Sequence, residues 1–287
     1  MTSKLITVYI PTHNRSNMLY RAIRSVQLQT YDNIEIIICD DGSTDETYQL
    51  VNKLIESDDR IKYLRNEKPL GAPSARNLGI FNATGEYITG LDDDDEFSPN
   101  RIQELVSIYD DTLHSFVCSN IMVNYGSYRA ANPIYSGEIT LEKLGFYNIA
   151  GNQVFTKTEK LKNIGGFDTS LPAWQDYDTW FRLCLHYGNG YKIASTSYIQ
   201  NVDHELGRIT TGDKAKRGYE LFVEKHSNKL TKKNKMSLLI YDRVNRGADI
   251  SFKDLLQNFS MANLILTLKF KIKKRMPLVK SLVKYIR

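Results

Sequence analysis

Four aspartates in a row, Asp92 to Asp95, follow the apolar run in GEYITGLDDDD (residues 85–95). Carboxylates held side by side repel one another, so the run has to be screened or neutralised. An acidic turn left in water, ahead of a helix beginning near Pro99, is one reading. A hard divalent cation bound through carboxylate oxygens is the other. Two further polar clusters, PTHNR (11–15) and DDGS (40–43), also follow strand-like apolar runs. Later, WQDYDTW (174–180) places Asp176 and Asp178 at the start of a helical pattern. Either carboxylate there could serve as a general base or as a helix cap.

The elements that must position these groups alternate in type. LITVYI, IEIIIC, IKYL and YITGL read as strands buried on both faces. Between them lie helical patterns: one starts at a capping Ser16 with Met18, Leu19, Ala22, Ile23 and Val26 on its inner face, and one carries Tyr48, Val51, Leu54 and Ile55 after a capping Ser or Thr. A third follows Gly71. Strand–helix alternation predicts an α/β fold, a mostly parallel Rossmann-like sheet with flanking helices. In such a sheet the carboxyl ends of the strands bind ligands, which brings all three polar clusters to one edge. In the second half, SFVCSNIMVNY and YKIASTSYIQNV each read as one strand, and AWQDYDTWFRLCLHYG as an amphipathic helix.

The segments VYIPTHNR, IIICDDGSTDET, GAPSARNLGI, GEYITGLDDDDEFSPNRI and GGFDTSLPAWQDYDTWFRL together resemble family-2 glycosyltransferases in order and spacing, over about residues 4–210. The resemblance implies the GT-A fold and an inverting, metal-dependent transfer of a hexose from a UDP-sugar. It puts Asp92 and Asp94 on the family's DxD element, with Mn²⁺ or Mg²⁺ held by Asp94 and with Asp92 or Asp93 reaching the ribose or a metal-bound water. Because all four residues are aspartate, the register admits a shift of one. The nucleotide pocket would use Thr12, His13, Arg15 and Asp41, the last accepting the uracil imide N–H. Asp40 and Asp41 are equally suited to capping the next helix. Arg76 would reach the nucleotide or diphosphate or form a surface salt bridge, and Asn77 fits a structural hydrogen bond. Asp176 aligns with the catalytic base and Asp178 is its rival; Gln175 stands where the family more often has Glu, which bears on acceptor contacts. In VDHELGRITTG, His204 is a candidate third metal ligand and Arg208 a phosphate contact, against a surface role for the histidine. The expected division is a catalytic domain at 1–211, with 1–110 for the nucleotide and 111–211 for the acceptor, and a helical basic C-terminal extension at 212–287.

Composition narrows the alternatives. Of 287 residues, 41% are hydrophobic and 25% charged, as in globular proteins. Cys39, Cys118 and Cys184 are too scattered for a zinc site or disulfide framework and read as buried thiols of a reducing cytoplasm. The opening apolar run is too short for a signal peptide, and none approaches the roughly 18 residues of a membrane span. PTHNR lacks the glycine-rich loop of a dinucleotide oxidoreductase or a sugar nucleotidyltransferase. A catalytically silent scaffold would have no use for both the DxD element and Asp176. From Lys269 to Arg287 there are eight basic residues and no acidic one; without them 30 basic residues face 33 acidic, a net of −3. This localised charge, mixed with Leu, Ile and Phe, predicts contact with an anionic membrane surface and no nucleic-acid partner. A packed helix with a solvated basic face is the alternative. The alternation between Lys269 and Lys273 has period two, which is wrong for an amphipathic helix, and Pro277 should divide the segment. The implied setting is peripheral, on the cytoplasmic face of the inner membrane, with a polyprenyl-diphosphate-linked saccharide as acceptor.

Overall fold

A computed structural model of the chain describes residues 3–131, 134–202, 212–257 and 259–275. The first compact unit comprises residues 1–141, 149–170 and 175–206. It opens with β1 (Ile6–Thr12), α1 (Ser16–Gln27), β2 (Ile34–Asp40), α2 (Thr47–Ile55), β3 (Ile61–Arg65), α3 (Ala72–Asn82) and β4 (Tyr87–Gly90). β5 (Glu96–Phe97), α4 (Arg101–Ile108), β6 (Val117–Cys118), β7 (Ile121–Asn124), β8 (Arg129–Ala131) and β9 (Gly137–Ile139) follow. After α5 (Leu141–Leu144) come β10 (Phe155–Lys157), α6 (Thr158–Asn163), α7 (Gln175–Tyr187), β11 (Gly190–Lys192) and β12 (Tyr198–Asn201).

Every residue of β1 and β2 is buried. That accounts for their predominantly apolar and β-branched sequences, since both faces of a central parallel strand are covered by helices. The main sheet has the order β3-β2-β1-β4-β10-β6-β11-β9. β3, β2, β1 and β4 run parallel, while β10 is antiparallel to β4 and β6. A smaller sheet has the order β5-β12-β7-β8. Each of the two later segments read as a single strand therefore divides, giving β6 and β7 in one case and β11 and β12 in the other, with the halves in different sheets. Buried Asn120 marks the crossing: its backbone N–H donates to Ser195 O at 2.8 Å and its Nδ2 to Ile193 O at 2.8 Å. Breaks of two residues (119–120) and five residues (193–197) do not reveal a change of sheet to a local pattern. All three cysteines are free and buried.

The helix starts differ from expectation. Ser16 is the first residue of α1 and its side chain caps nothing; its amide donates instead to Asp45 Oδ2 at 3.1 Å. Asp45 Oδ1 accepts from the amide and hydroxyl of Thr47, at 3.1 and 2.6 Å, where α2 begins. One carboxylate thus satisfies the orphan amides of two helices, an arrangement that favours negative charge at both positive dipole ends.

The second unit comprises residues 142–148, 171–174 and 207–287. Its main elements are α8 (Gly212–Lys225), α9 (Lys232–Asn245), α10 (Phe252–Gln257) and α11 (Met261–Arg275). Trp174 centres its aromatic cluster, with the rings of Tyr219 and Phe222 at 5.5 Å and Tyr241 at 5.9 Å. A Cβ on Gly218 would sit 2.5 Å from Ala173 O, so only glycine lets α8 approach this closely. Thr231 and Asn234 form a reciprocal capping box at α9. The tail is helical to Arg275 despite its period-two alternation, and Pro277 lies outside the described residues. Among the described residues no helix is long and apolar enough to cross a membrane.

Candidate active site

The carboxyl ends of β1, β2 and β4 meet as expected from a parallel sheet, and α7 adds its first turn to the same place. Thr12, at the end of β1, donates its hydroxyl to Asp93 Oδ2 at 2.8 Å. Arg15 Nη1 reaches Asp93 Oδ1 at 3.1 Å and Asp94 Oδ2 at 3.3 Å. Arg21 Nη2 donates to Asp94 O at 3.1 Å. The mutual repulsion of the aspartates is therefore met within the protein by arginines from the β1–α1 turn and from α1.

Each aspartate has its own surroundings. Asp93 is buried, and that burial pushes its carboxyl up to about 6 against the pull of Arg15. Asp95 is buried further and pushed up to about 8, first by desolvation and then by the charges of Asp92 and Asp94. Its Oδ1 accepts from the Asn201 amide at 2.9 Å, tying the acidic turn to β12. Asp92 Oδ1 accepts from Arg76 Nη2 at 3.0 Å and from Gln153 Nε2 at 2.9 Å. The Tyr198 hydroxyl lies 3.5 Å from Asp92 Oδ2. Behind it, buried Arg101 stacks between Phe97 at 4.7 Å and Tyr198 at 5.2 Å and bonds to Ser119 Oγ at 2.5 Å.

Arg76 joins the acidic turn to α7. Its Nη1 lies 3.5 Å from Asp176 Oδ1, while Nη2 holds Asp92. Desolvation alone would lower this buried guanidinium's affinity for its proton, but the charges of Asp176 and Asp92 outweigh it and keep it cationic. Asp176 Oδ1 is buried without a hydrogen-bond partner among the described residues, as are Nε and Nη1 of Arg76. The Asp176 side chain is nevertheless 29% exposed, so the far side of its carboxylate is open. Burial pushes Asp176 up to about 6, with Arg76 pulling down and Asp92 pushing up. Gln175, the neighbour, is buried with Oε1 likewise unpartnered among the described residues.

The rival carboxylate is differently placed. Asp178 is fully buried and receives Arg182 Nε at 2.7 Å, and Arg182 also donates to Ile164 O and Gly166 O at 2.6 Å each. It anchors the turn after α6. Asn77 is structural as read, exchanging hydrogen bonds with the Phe167 backbone at 2.8 and 2.7 Å. Asp40 also works locally, accepting from Ser43 N at 2.8 Å and from the Tyr63 hydroxyl.

Asp41 is buried and holds the loop before α3: Oδ1 accepts from Asn66 Nδ2 and Leu70 N, and Oδ2 from Gly71 N at 2.7 Å. Exposed His13 bonds through Nδ1 to Asp41 O at 2.8 Å; a carbonyl only accepts, so Nδ1 carries the proton. His204 and Arg208 lie outside the described residues. The sequence reading missed Gln153, Tyr9 and Tyr198. The Tyr9 hydroxyl donates to Gln153 Oε1 at 3.0 Å, which turns the Gln153 amide nitrogen toward Asp92. Gly90 makes the room, since a Cβ there would fall 2.2 Å from Gln153 Oε1. A buried glutamine just before a strand was the available signal.

For a divalent ion, the donor chemistry is suitable: hard carboxylate oxygens at one strand end. Among the described residues no group of three or more His, Cys, Asp or Glu is arranged to hold an ion by itself. Asp92 and Asp94, part-exposed at 20% and 23%, are the carboxylates of the turn that could contact an ion shared with substrate phosphates.

A Rossmann-like sheet ending in an acidic turn, with one more carboxylate held beside it by arginine, is the GT-A-type architecture. Residues 7–163 match the family described as Glycosyl transferase family 2, and the chain belongs to that family. WcaA of Escherichia coli K12, named for glycosyl transfer in colanic acid biosynthesis, is 38% identical over 267 residues, covering 90% of this chain and 94% of WcaA. WfaP of Escherichia coli, named as a UDP-Glc:α-D-GlcNAc-diphosphoundecaprenol β-1,3-glucosyltransferase, is 31% identical over 203 residues, covering 68% of this chain and 75% of WfaP. Staphylococcus aureus TarS has the same fold, with a TM-score of 0.66 at 17% identity over 98% of this chain and 52% of TarS; a shorter TarS was solved with UDP.

Proposed function

We propose that this glycosyltransferase moves a hexose from a UDP-sugar to a lipid-linked saccharide with inversion at the anomeric carbon, in the synthesis of a bacterial surface polysaccharide. The observation that carries the reading is Arg76, which faces Asp92 of the acidic turn and Asp176 of α7 at once. The name of WfaP supports the lipid-linked acceptor, and that of WcaA the polysaccharide setting. Residues 1–110 would hold the nucleotide and 111–211 the acceptor, on the cytoplasmic face of the membrane that bears a lipid-diphosphate sugar.

Thr12, His13 and Arg15 would line the nucleotide, and Asp41 would accept the uracil N–H with a lone pair left by the loop bonds, a carboxylate having about four acceptor sites. Asp94 and Asp92 would hold Mn²⁺ or Mg²⁺, with Asp93 toward the ribose and His204 and Arg208 as further contacts. When bound, the ion supplies Lewis-acid stabilisation of the departing diphosphate. Asp176, largely ionised at neutral pH with its carboxyl near 6, takes the proton of the acceptor hydroxyl as that oxygen bonds to the anomeric carbon. The bond from that carbon to the phosphate oxygen breaks on the opposite face and UDP leaves, so one base suffices. Arg76 keeps Asp176 ionised and adds positive charge beside the diphosphate.

The test is UDP release from UDP-hexoses with Mn²⁺ and a lipid-diphosphate sugar. Asp176→Asn should bind donor normally and lose turnover by a factor of roughly 10² or more. Near-normal turnover in that variant would remove Asp176 from the role of base.

A further inference from the structure

α11 is built inside out. Its fully buried positions include polar Asn263 and Thr267, whereas Met261, Ile265, Leu268 and Ile272 are exposed. The Ser237 hydroxyl of α9 donates to Asn263 Oδ1 at 3.4 Å, and Thr267 Oγ to Asn263 O at 2.7 Å, so the polar pair faces the body of this unit. At about 100° per residue, the four exposed apolar residues share a sector of about 60°, and Asn263 and Thr267 lie roughly opposite. Lys269 and Lys271 fall about 80° to either side of Met261. The period-two alternation that looked wrong for an amphipathic helix is resolved by this phase. Leu268 and Ile272 point outward, Phe270 points inward, and the two lysines occupy the shoulders of the apolar stripe.

The segment just before α11 in sequence also exposes apolar side chains. Phe252 and Leu256, one turn apart on α10, are exposed, as is Phe259. Water gains nothing from seven large apolar side chains collected on one unit, and clusters of this kind mark interaction sites. The occupant is indicated by charge. Lys253 and Lys271 are exposed, and the chain continues from Lys269 to Arg287 with eight basic and no acidic residues. An apolar sector between lysines whose stems can lie along acyl chains while their heads stay in water is the geometry of a helix lying in a bilayer interface.

We infer that α11 forms an in-plane docking face for an anionic lipid bilayer, with Met261, Ile265, Leu268 and Ile272 entering the acyl boundary and Lys269 and Lys271 at the headgroups. This deepens the lipid-linked acceptor reading by naming the surface that would bring the enzyme to such an acceptor. The 287-residue chain should co-float with vesicles of phosphatidylcholine and phosphatidylglycerol in equal parts and far less with phosphatidylcholine alone. Two variants of the 287-residue chain, I265E/L268E and K269E/K271E, change exposed positions and half-buried Lys269. Each should weaken vesicle binding by roughly tenfold or more, and raised salt should weaken that of the unmodified chain. Both variants should retain the far-UV circular dichroism of the parent and its transfer to a short soluble acceptor. Failure of that transfer in the unmodified chain would count against the sugar-transfer reading and leave the vesicle result intact. Binding that is equal for parent and variants would overturn the docking face. So would parental dimers, seen by light scattering, that become monomers in I265E/L268E with no vesicle binding, because the stripe would then be an interface between copies of this chain.

Discussion

Asp176 and Asp178 are two residues apart on one helix, yet one is part-exposed beside Arg76 and the other is sealed against Arg182. The consequences of removing each should differ in kind. Asp178→Asn leaves Arg182 without its anionic partner in a closed site, so it should cost about 3 kcal/mol in urea unfolding. A fall in turnover with unchanged stability in that variant would contradict the assignment. Asp176 adds a pH dependence whose sign follows from the role proposed for it. Only the carboxylate accepts a proton, so turnover should fall as pH drops through about 6. Arg76 lowers that value, and Arg76→Gln should therefore move the acidic limb of the profile to higher pH as well as reducing turnover. A limb that stays in place would mean Arg76 does not act on Asp176. The sequence presented both aspartates in one motif, but the helical phase that separates them was fixed by contacts with residues about 100 positions away and by a turn at 164–166.

At the scale of elements, β1, β2 and β3 are stapled on one face by Glu35. Its carboxylate accepts from Thr7 Oγ and Lys62 Nζ, each at 2.5 Å, and from Thr84 N and Oγ at 3.0 and 2.7 Å. Burial would raise this group, but the hydrogen bonds from Lys62, Thr7 and Thr84 hold it down to about 2. A depressed folded value stabilises above the unfolded value near 4.5, and that contribution disappears as pH falls toward 2. Glu35→Gln should thus cost about 2–3 kcal/mol at neutral pH, with the gap to the parent narrowing steadily on acidification. A gap independent of pH would show that Glu35 acts through packing alone. β4 offers a second case. Gly90→Ala would drive a methyl into Gln153 and Tyr9, so donor binding should weaken through a displaced Asp92. An unchanged donor affinity would show that Gln153 does not position Asp92. Alternation and turn residues revealed the existence of these strands; the glycine's purpose depends on Tyr9 and on Gln153, more than 60 residues away.

For the molecule as a whole, a ligand that binds only the folded chain raises its melting temperature by mass action. UDP with Mn²⁺ at about a hundred times its dissociation constant should add about 2.7 kcal/mol, a rise of about 5 °C for a chain of this size. Asp94→Ala should remove most of the Mn²⁺-dependent part, and equal metal-dependent shifts in parent and variant would take Asp94 out of the site. Replacing UDP by CDP should shrink the shift, because cytosine lacks the imide N–H that Asp41 would accept.

The sequence by itself determined the α/β class, the order of β1 to β4 and the three polar strand ends that converge at the site. Those features are local: a strand buried on both faces is mostly apolar, and a parallel sheet must align its carboxyl ends. The tertiary structure alone decided which strands changed sheet at Asn120, that Asp45 rather than Ser16 serves the start of α1, and that Tyr9, Gln153 and Tyr198 support Asp92. It also decided the phase of α11, where the buried positions are polar and the exposed ones apolar. Each of these depends on partners distant in sequence, and a local pattern records which residues are apolar but not which face of an element another element covers.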